Sequence, residues 1–395
     1  MQRTIRALLQ SSPEQATALA ETSWQFTAAF NAVCAYGWEH SMKNGVSLHH
    51  KTYHPLKARY PSLVSDLHIQ ARVKATEALK GAFTRQRQGR PVSCPHSPAC
   101  PSRFNVHTFK VDWEKREVRL STVAGRTTIT FHLLTYARRY KGSAVDTADL
   151  LFRKGRWWLH IVVTLPAPEA VLCDAIVGVD LGLAQPAVTS NNHFLGRRRW
   201  RNIEARRFKL RRALQKKGTK SASRHLRRLR GQQRRFRRDC DHVLSKQIVQ
   251  SVPQGGTVAL ENLKDIRVSI KTRHGAQSRR LHSWSFAQLR SFIEYKAEER
   301  GCTVAGVDPR HTSQACSRCG HVARNNRRSR GWFRCRACGF QLHADLNGAR
   351  NIAAKYRASP SMSGTGGLCI NQPIVGVNEV THLATHKPPA LAGGS

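Results

Sequence analysis

Two pairs of cysteines near the end of the chain constrain its folding more than any other feature. Cys316 and Cys319 form the first Cys-x2-Cys pair, and Cys335 and Cys338 form the second after fifteen intervening residues. This spacing is typical of a ribbon in which four thiolates hold one zinc ion tetrahedrally. Because no position is left for water, we expect this zinc to be structural. A glycine follows each pair, which lets the backbone turn its amides toward the sulfurs.

Three acidic residues stand where carboxylates could converge on a second kind of metal site. Asp180 and Glu261 each end a short strand-like run, and Asp345 begins an amphipathic helix directly after the ribbon. Two divalent ions about 4 Å apart can promote phosphodiester hydrolysis, and Mg²⁺ prefers carboxylate ligands. Taken singly, Asp180 could be a turn residue, Glu261 a surface acid and Asp345 a helix N-cap. Together, in a chain of 24 acids against 66 bases, they favour a catalytic magnesium site of two ions.

The charge of the chain points to nucleic acid as its partner. The formal net charge is +42, and such self-repulsion is relieved when a polyanion binds. The basic helical block, residues 197–250, carries about twenty Lys and Arg before Asp239 against one acid, Glu204. A solvated helix face is the alternative, but such faces mix both signs of charge. The block therefore favours phosphate contacts, and its arginines suit bidentate binding.

No part of the sequence supports a membrane location. The most apolar region, from Trp157 to Leu183, is interrupted by Pro166, Pro168 and Asp174 too early for a spanning helix. The first residues lack the apolar core of a signal peptide, so we expect a soluble, cytoplasmic protein. Eleven cysteines in such a chain argue against a disulfide framework.

The remaining regions differ in texture. The first residues could form a strand, a helical pattern follows, and the region after about residue 89 alternates like an antiparallel sheet or small barrel. In the helical part, Trp24, Phe26 and Phe30 could stack on bases, but core packing is favoured. Cys94 and Cys100 have no second pair at the right distance, so we expect a loop there rather than a metal site.

Four motifs carry a resemblance to a known family. They are residues 178–182 (Gly-Val-Asp-Leu-Gly), 260–263 (Leu-Glu-Asn-Leu), 312–320 (Thr-Ser-Gln-Ala-Cys-Ser-Arg-Cys-Gly) and 343–352 (His-Ala-Asp-Leu-Asn-Gly-Ala-Arg-Asn-Ile). They resemble the TnpB family, transposon-encoded proteins related to type V CRISPR effectors. The resemblance covers about residues 176–356. One departure is that His343 and Ala344 stand where many members have Asp-Arg.

The resemblance implies an α+β multidomain fold with a RuvC-like core of the RNase H class, in which Asp180, Glu261 and Asp345 bind magnesium. It further implies RNA-guided cleavage of double-stranded DNA next to a short motif, with a guide RNA from the element itself and a link to its transposase. In prokaryotic cells, we expect such a protein near the nucleoid. The implied domains are a first barrel strand (1–10), a helical recognition region (11–88), a wedge β-barrel (89–170), the nuclease core (171–311), a zinc-ribbon target-binding insertion (312–341) and the last RuvC helix (342–358). Residues 359–395 are rich in Gly, Pro, Ser and Ala with little charge, and this composition predicts a disordered tail.

Two other functions stay open at this point. A catalytically silent, RNA-guided DNA-binding regulator would share the fold, although the intact acids argue against it. A DDE-type transposase also uses three acids, but the ribbon between the second and third acids favours the RuvC arrangement.

Overall fold

A computed structural model of the protein describes residues 1–169, 171, 173–182, 185–263, 286–329 and 331–359. The predicted tail, 359–395, lies outside the described residues except for Ser359. The chain divides into two compact units, Met1–Pro166 and Ala167–Ser395.

The first unit contains an antiparallel sheet of seven strands in the order β2-β6-β7-β1-β5-β4-β3. The first strand, β1, pairs with β7 on one side and β5 on the other. The helices that follow β1 are therefore an insertion in the sequence between this strand and the other strands of the sheet. The edge strands β2 and β3 are not paired with each other in this unit, so the predicted sheet does not close into a complete barrel. The strands are β1 (Gln2–Gln10), β2 (Ser102–Phe104), β3 (Phe109–Asp112), β4 (Glu117–Thr122), β5 (Gly125–Leu133), β6 (Ala144–Arg153) and β7 (Arg156–Thr164).

Three helices pack on the same apolar core as this sheet. They are α1 (Pro13–Glu39), α2 (Gly45–Arg59) and α3 (Ser65–Arg87). Ser12 begins α1 with a capping box, in which its hydroxyl accepts from the backbone N–H of Gln15 and the Gln15 side chain accepts in return. Phe26 and Phe30 are buried as predicted. Core packing was the wrong prediction for Trp24, which is 58% exposed and meets Tyr60 edge-on.

The second unit is built on a sheet of five strands in the order β10-β9-β8-β11-β12. The central strand β8 is parallel to β11, and β11 is parallel to β12, whereas β9 and β10 continue the sheet antiparallel. Nearly every described residue of β8, β9 and β11 is buried, as expected for strands covered on both faces. The strands are β8 (Ile176–Asp180), β9 (Ala187–Thr189), β10 (Phe194–Leu195), β11 (Thr257–Glu261) and β12 (Thr303–Val307).

The basic block forms a helical hairpin, α4 (Arg198–Lys217) and α5 (Lys220–Gln250). Gly218 ends α4 in the left-handed conformation, with φ 64°, which favours glycine at this turn. Glu204 in the first half of α4 pairs with Arg237 in the second half of α5, so the two helices run antiparallel. Leu214 of α4 and Leu229 of α5 are buried together, whereas Leu210 is 40% exposed. The second half of α5 joins the sheet's core through Leu244 and Ile248.

The end of the described chain contains the cysteine-rich segment, residues 312–341, and a last helix. Helix α6 (Phe286–Glu299) precedes β12, and the two short strands β13 (Trp332–Arg334) and β14 (Gln341–His343) form an antiparallel ribbon. Helix α7 (Ala344–Arg357) starts directly after β14. Among the described residues, none of the helices is both long and apolar enough to span a membrane.

Candidate active site

Asp180 and Glu261 lie at the same edge of the five-stranded sheet. Asp180 is the last residue of β8, and Glu261 is the last residue of β11. The two strands are neighbours and parallel, with Leu260 in register with Val179, so their carboxyl ends meet. Parallel strands place the residues that follow them at one edge, where sites of open α/β sheets commonly form.

Helix α7 brings Asp345 to this edge by packing very closely on β8. Gly178 lies against the helix backbone, and a Cβ atom there would overlap the carbonyl oxygen of Ala349. On the helix side, a Cβ on Gly348 would lie 3.0 Å from Oδ2 of Asp180. Glycines at these two contact points let the first turn of α7, which carries Asp345, approach the end of β8.

Burial and neighbouring charges shift the pKa values of two of these acids, Asp180 and Glu261. Burial raises the pKa of Asp180 to about 7, and the negative charges of Glu261 and Asp345 add to this effect. Burial also raises the pKa of Glu261. Like charges that share a partly buried site favour the protonated form, and a hard cation would relieve this repulsion. The structure therefore brings the three predicted acids together as a donor set whose chemistry fits magnesium.

Two neighbours of these acids were missed by sequence reasoning. Nη2 of Arg327 donates to Oδ1 of Asp345 at 2.9 Å, and its positive charge lowers the pKa of Asp180. Oγ1 of Thr312 donates to Oε1 of Glu261 at 2.5 Å, which lowers the pKa of that carboxyl against the effect of burial. Both residues come from the cysteine-rich segment, so the segment supplies a cation and a hydroxyl to the acidic site. Thr312 begins one of the motifs that carry the family resemblance, but the motif does not predict that its hydroxyl contacts Glu261.

An open cleft of about 720 Å³ runs along this edge of the sheet. Asp180, Glu261, Thr312 and Arg327 line it, together with the loop that follows β12, which includes Asp308. Asp180 and Glu261 therefore face a space large enough for a nucleotide rather than a sealed core.

Buried asparagines attach helix α7 to the segment that enters the ribbon. The amide of Asn347 accepts from the backbone N–H of Ser317 at 3.0 Å and donates to the carbonyl of Ala315 at 2.8 Å. Asn351 donates to the carbonyls of Ala315 and Thr312, both at 2.8 Å. Since Thr312 contacts Glu261, these bonds connect the helix, the ribbon entry and the second acid.

The four cysteines form the predicted cluster. Sγ of Cys316 lies 3.8 Å from Sγ of Cys338, and Sγ of Cys319 lies 3.6 Å from Sγ of Cys335. A tetrahedron with Zn–S bonds of about 2.3 Å has edges of about 3.8 Å, so the spacing fits zinc. A hydrogen bond from the backbone N–H of Cys338 lowers the pKa of Cys335 to about 6, although burial acts in the opposite direction. The lowered pKa favours the thiolate form, which is the form that binds a metal.

The backbone of the cluster also follows the prediction made from its glycines. Gly320 and Gly339 have φ values of 75° and 70°, which favour glycine. Nearby, the buried amide of Asn326 bonds the carbonyls of Gln314 and His321 and accepts from the N–H of Arg336. This brace holds the two halves of the segment together and fixes the position of the adjacent Arg327.

Comparison with known proteins supports the same reading of this region. Residues 286–352 match the family model of the Cas12f1-like TNB domain. The CRISPR-associated endodeoxyribonuclease Cas12f1 of Sulfoacidibacillus thermotolerans is 34% identical over 220 residues, which cover 51% of this chain and 50% of the relative. A TnpB-like protein of Methanocaldococcus jannaschii is 29% identical over 126 residues, or 32% of this chain and 45% of the relative. The matches thus span about half the length of these curated relatives.

A solved structure shows that the likeness extends to the fold. The Cas12f1 chain of a Cas12f1–sgRNA–target DNA complex matches with a TM-score of 0.58 at 17% identity, over 86% of this chain and 83% of that one. The family-model match and the TnpB-like relative support the resemblance to the TnpB family that the sequence motifs carry, and the solved structure shows that the fold is shared.

Proposed function

We propose that the protein is an RNA-guided, magnesium-dependent endonuclease that cleaves double-stranded DNA next to a short adjacent motif. The observation that carries this proposal is that Asp180 and Glu261 line one cleft and that the charges of Glu261 and Asp345 both raise the pKa of Asp180. The relatives named as endodeoxyribonucleases support the reaction class.

The five-stranded sheet supports assignment of the second unit as a RuvC-like core. The two strands that end in Asp180 and Glu261 are adjacent and parallel, and the helix bearing the third acid packs against both. Two divalent ions held by the carboxylates would supply activated water and stabilise the leaving oxygen. Glu261 is oriented by Thr312, and Asp345 is held by Arg327, whose guanidinium could also bind a phosphate in the cleft.

The other charged surfaces fit guide RNA and DNA as partners. In the α4–α5 hairpin, Arg and Lys side chains outnumber acids by a wide margin, and most are exposed. Backbone contacts of this kind do not depend on sequence, whereas base pairing with a guide does. We therefore assign the hairpin to guide RNA and heteroduplex, and sequence choice to the guide, which the element's own end would encode.

The decisive experiment changes Asp180 to Ala in the full chain purified with its RNA. We expect loss of plasmid cleavage in magnesium buffer with guided DNA binding unchanged, because the proposed role of this carboxylate is to hold the metal rather than the heteroduplex. Asp239→Ala is the matched control, since Asp239 is an exposed acid of the same unit outside the cleft. Cleavage retained by Asp180→Ala would refute the site.

The same assay separates the other functions. A silent regulator would protect DNA without nicking it even in the unchanged protein. A DDE-type transposase would keep its strand-joining activity after the RNA is removed with RNase. Sequencing of the copurified RNA should return one species with a constant scaffold and a variable end.

A further inference from the structure

The guanidinium of Arg327 is a cation that the chain itself places among the three acids. Its Nη2 lies 2.9 Å from Oδ1 of Asp345, and the side chain lines the cleft. Although burial raises the pKa of both Asp180 and Glu261, the positive charge of Arg327 acts in the opposite direction at each of them. One side chain is therefore within electrostatic reach of all three carboxylates that would hold magnesium.

Arg327 lies on the cleft side of the third acid. Of the described residues that line the cleft, Arg327 is one and Asp345 is not. The side chain of Asp345 is 17% exposed, and that of Arg327, with which it pairs, is 31% exposed. Because the acid is the less exposed partner, the guanidinium covers the carboxylate that a metal ion in the cleft would have to reach.

The cysteine-rich segment fixes the backbone that carries this guanidinium. The buried amide of Asn326 bonds three backbone groups of the segment, and Arg327 itself pairs with Phe333 in an antiparallel bridge. Phe333 is fully buried beside Cys316 and Cys335. The backbone of Arg327 is therefore held in place, while its partly exposed side chain can change rotamer at the cleft without any unfolding.

An arginine and a magnesium ion compete for the same chemical group. Both bind carboxylate oxygens, but a guanidinium also forms two parallel hydrogen bonds with a phosphate group. A positive charge a few ångströms from a metal site opposes the binding of a divalent ion, and the more so where solvent screens it little. A phosphate that enters the cleft would draw the guanidinium away from the acid and add a negative charge beside the site.

We propose that Arg327 is an internal competitor of magnesium, which holds Asp345 in the free protein and releases it when a phosphate group of the bound nucleic acid takes over the guanidinium. This inference rests on the proposed function and adds a form of regulation to it. The metal site would be complete only when the strand to be cut lies in the cleft. Because coupling between two ligands is reciprocal, magnesium and the strand should strengthen each other's binding.

Hydrogen exchange measures magnesium binding at the site without relying on cleavage. The full chain, purified with its RNA, is titrated with magnesium at constant ionic strength, and exchange is read in peptides that cover the ends of β8 and β11 and the first turn of α7. The Asp180→Ala protein defines the background from ions bound elsewhere, including those on the RNA. Arg327→Gln keeps a polar side chain without the charge, and we expect it to reach half-saturation at about 10-fold less magnesium than the wild type.

Two variants and a metal analysis serve as controls. Arg327→Lys keeps the positive charge and should bind magnesium nearly as weakly as the wild type. Arg324→Gln removes the same charge from an exposed position of the same segment and should leave half-saturation unchanged. Zinc content reports whether the segment stays folded in each variant.

Target DNA tests the release of Asp345. In labelling pulses shorter than cleavage, the DNA should lower the half-saturating magnesium concentration of the wild type more than that of Arg327→Gln. The difference between the two proteins should therefore largely disappear. DNA with neutral methylphosphonates in place of the phosphates at the cleavage position should leave the difference intact, because no anion is present to take the guanidinium.

Several results would overturn the inference. One is half-saturation of Arg327→Gln at the same magnesium concentration as the wild type, or at a higher one. Others are an equal shift in Arg327→Lys or Arg324→Gln, and a difference from the wild type that target DNA does not reduce. Failure of the proposed function would look different: no protein of the series would show a magnesium response that Asp180→Ala lacks, and the wild type would not cut DNA.

Discussion

Removing the charge of Asp180 should stabilise the metal-free protein at alkaline pH. The pKa of this carboxyl is about 7 in the folded state, against an ordinary value of 3.8. Each pKa unit corresponds to about 1.4 kcal/mol, so the ionised form costs about 4 kcal/mol at most. The cleft is open to solvent, which screens part of this cost. We therefore compare the free energy of unfolding of Asp180→Asn with that of the wild type at pH 4 and at pH 8. The difference in favour of the variant should be about 2–4 kcal/mol larger at pH 8 than at pH 4.

The direction of the pH effect follows from proton binding. Between pH 3.8 and about 7, the folded state keeps a proton on Asp180 that the unfolded state has lost. The free energy of unfolding therefore falls as pH rises through this window, and it levels off above it. The asparagine variant lacks this slope. Magnesium at pH 8 should stabilise the wild type and remove most of its disadvantage, because the cation neutralises the repulsion.

The assay must isolate the second unit and retain its zinc. Unfolding of two units need not be two-state, so we suggest pulse-labelling hydrogen exchange across a urea series, read in peptides that cover β8 and β11. Magnesium is removed by dialysis rather than with a strong chelator, which would also extract the zinc. Asp239→Asn, which removes an exposed acid, should show no comparable pH dependence. A stability difference that is the same at pH 4 and pH 8 would refute the electrostatic reasoning.

Two further predictions concern the ribbon and its attachment. Cys335→Ser should release zinc and unfold the ribbon, since small metal modules owe most of their folding energy to the ion. Metal content measured by mass spectrometry checks this, and Cys240→Ser serves as the control outside the cluster. A full zinc complement in Cys335→Ser would contradict the prediction. Asn347→Ala should destabilise the second unit by about 1–3 kcal/mol in urea, because the backbone N–H of Ser317 loses its partner and the carbonyl of Ala315 keeps only Asn351. Arg350→Ala, on the exposed side of the same helix, should cost far less, and equal costs would show that the buried hydrogen bonds contribute little.

The basic helical block and the alternating strands could be predicted because their patterns are local. Apolar and charged residues recur within a few positions, and the turn at Gly218 depends on a single residue that can adopt a positive φ. The same periodicity could not tell Trp24 from Phe26, which are two positions apart on one helix. Which of them is buried depends on what packs against α1, and only Phe26 faces that core.

The sequence by itself determined the four-cysteine cluster and where the candidate acids stand on their elements. Cysteine spacing is almost sufficient for a four-thiolate site, because ligands that are close in sequence are close in space. The tertiary structure alone decided the surroundings of the acids. The contacts of Arg327 with Asp345 and of Thr312 with Glu261 join residues 18 and 51 positions apart, and Phe194 reaches His343 across a still longer separation. Such contacts depend on how the helix packs on the sheet, and no local pattern encodes them.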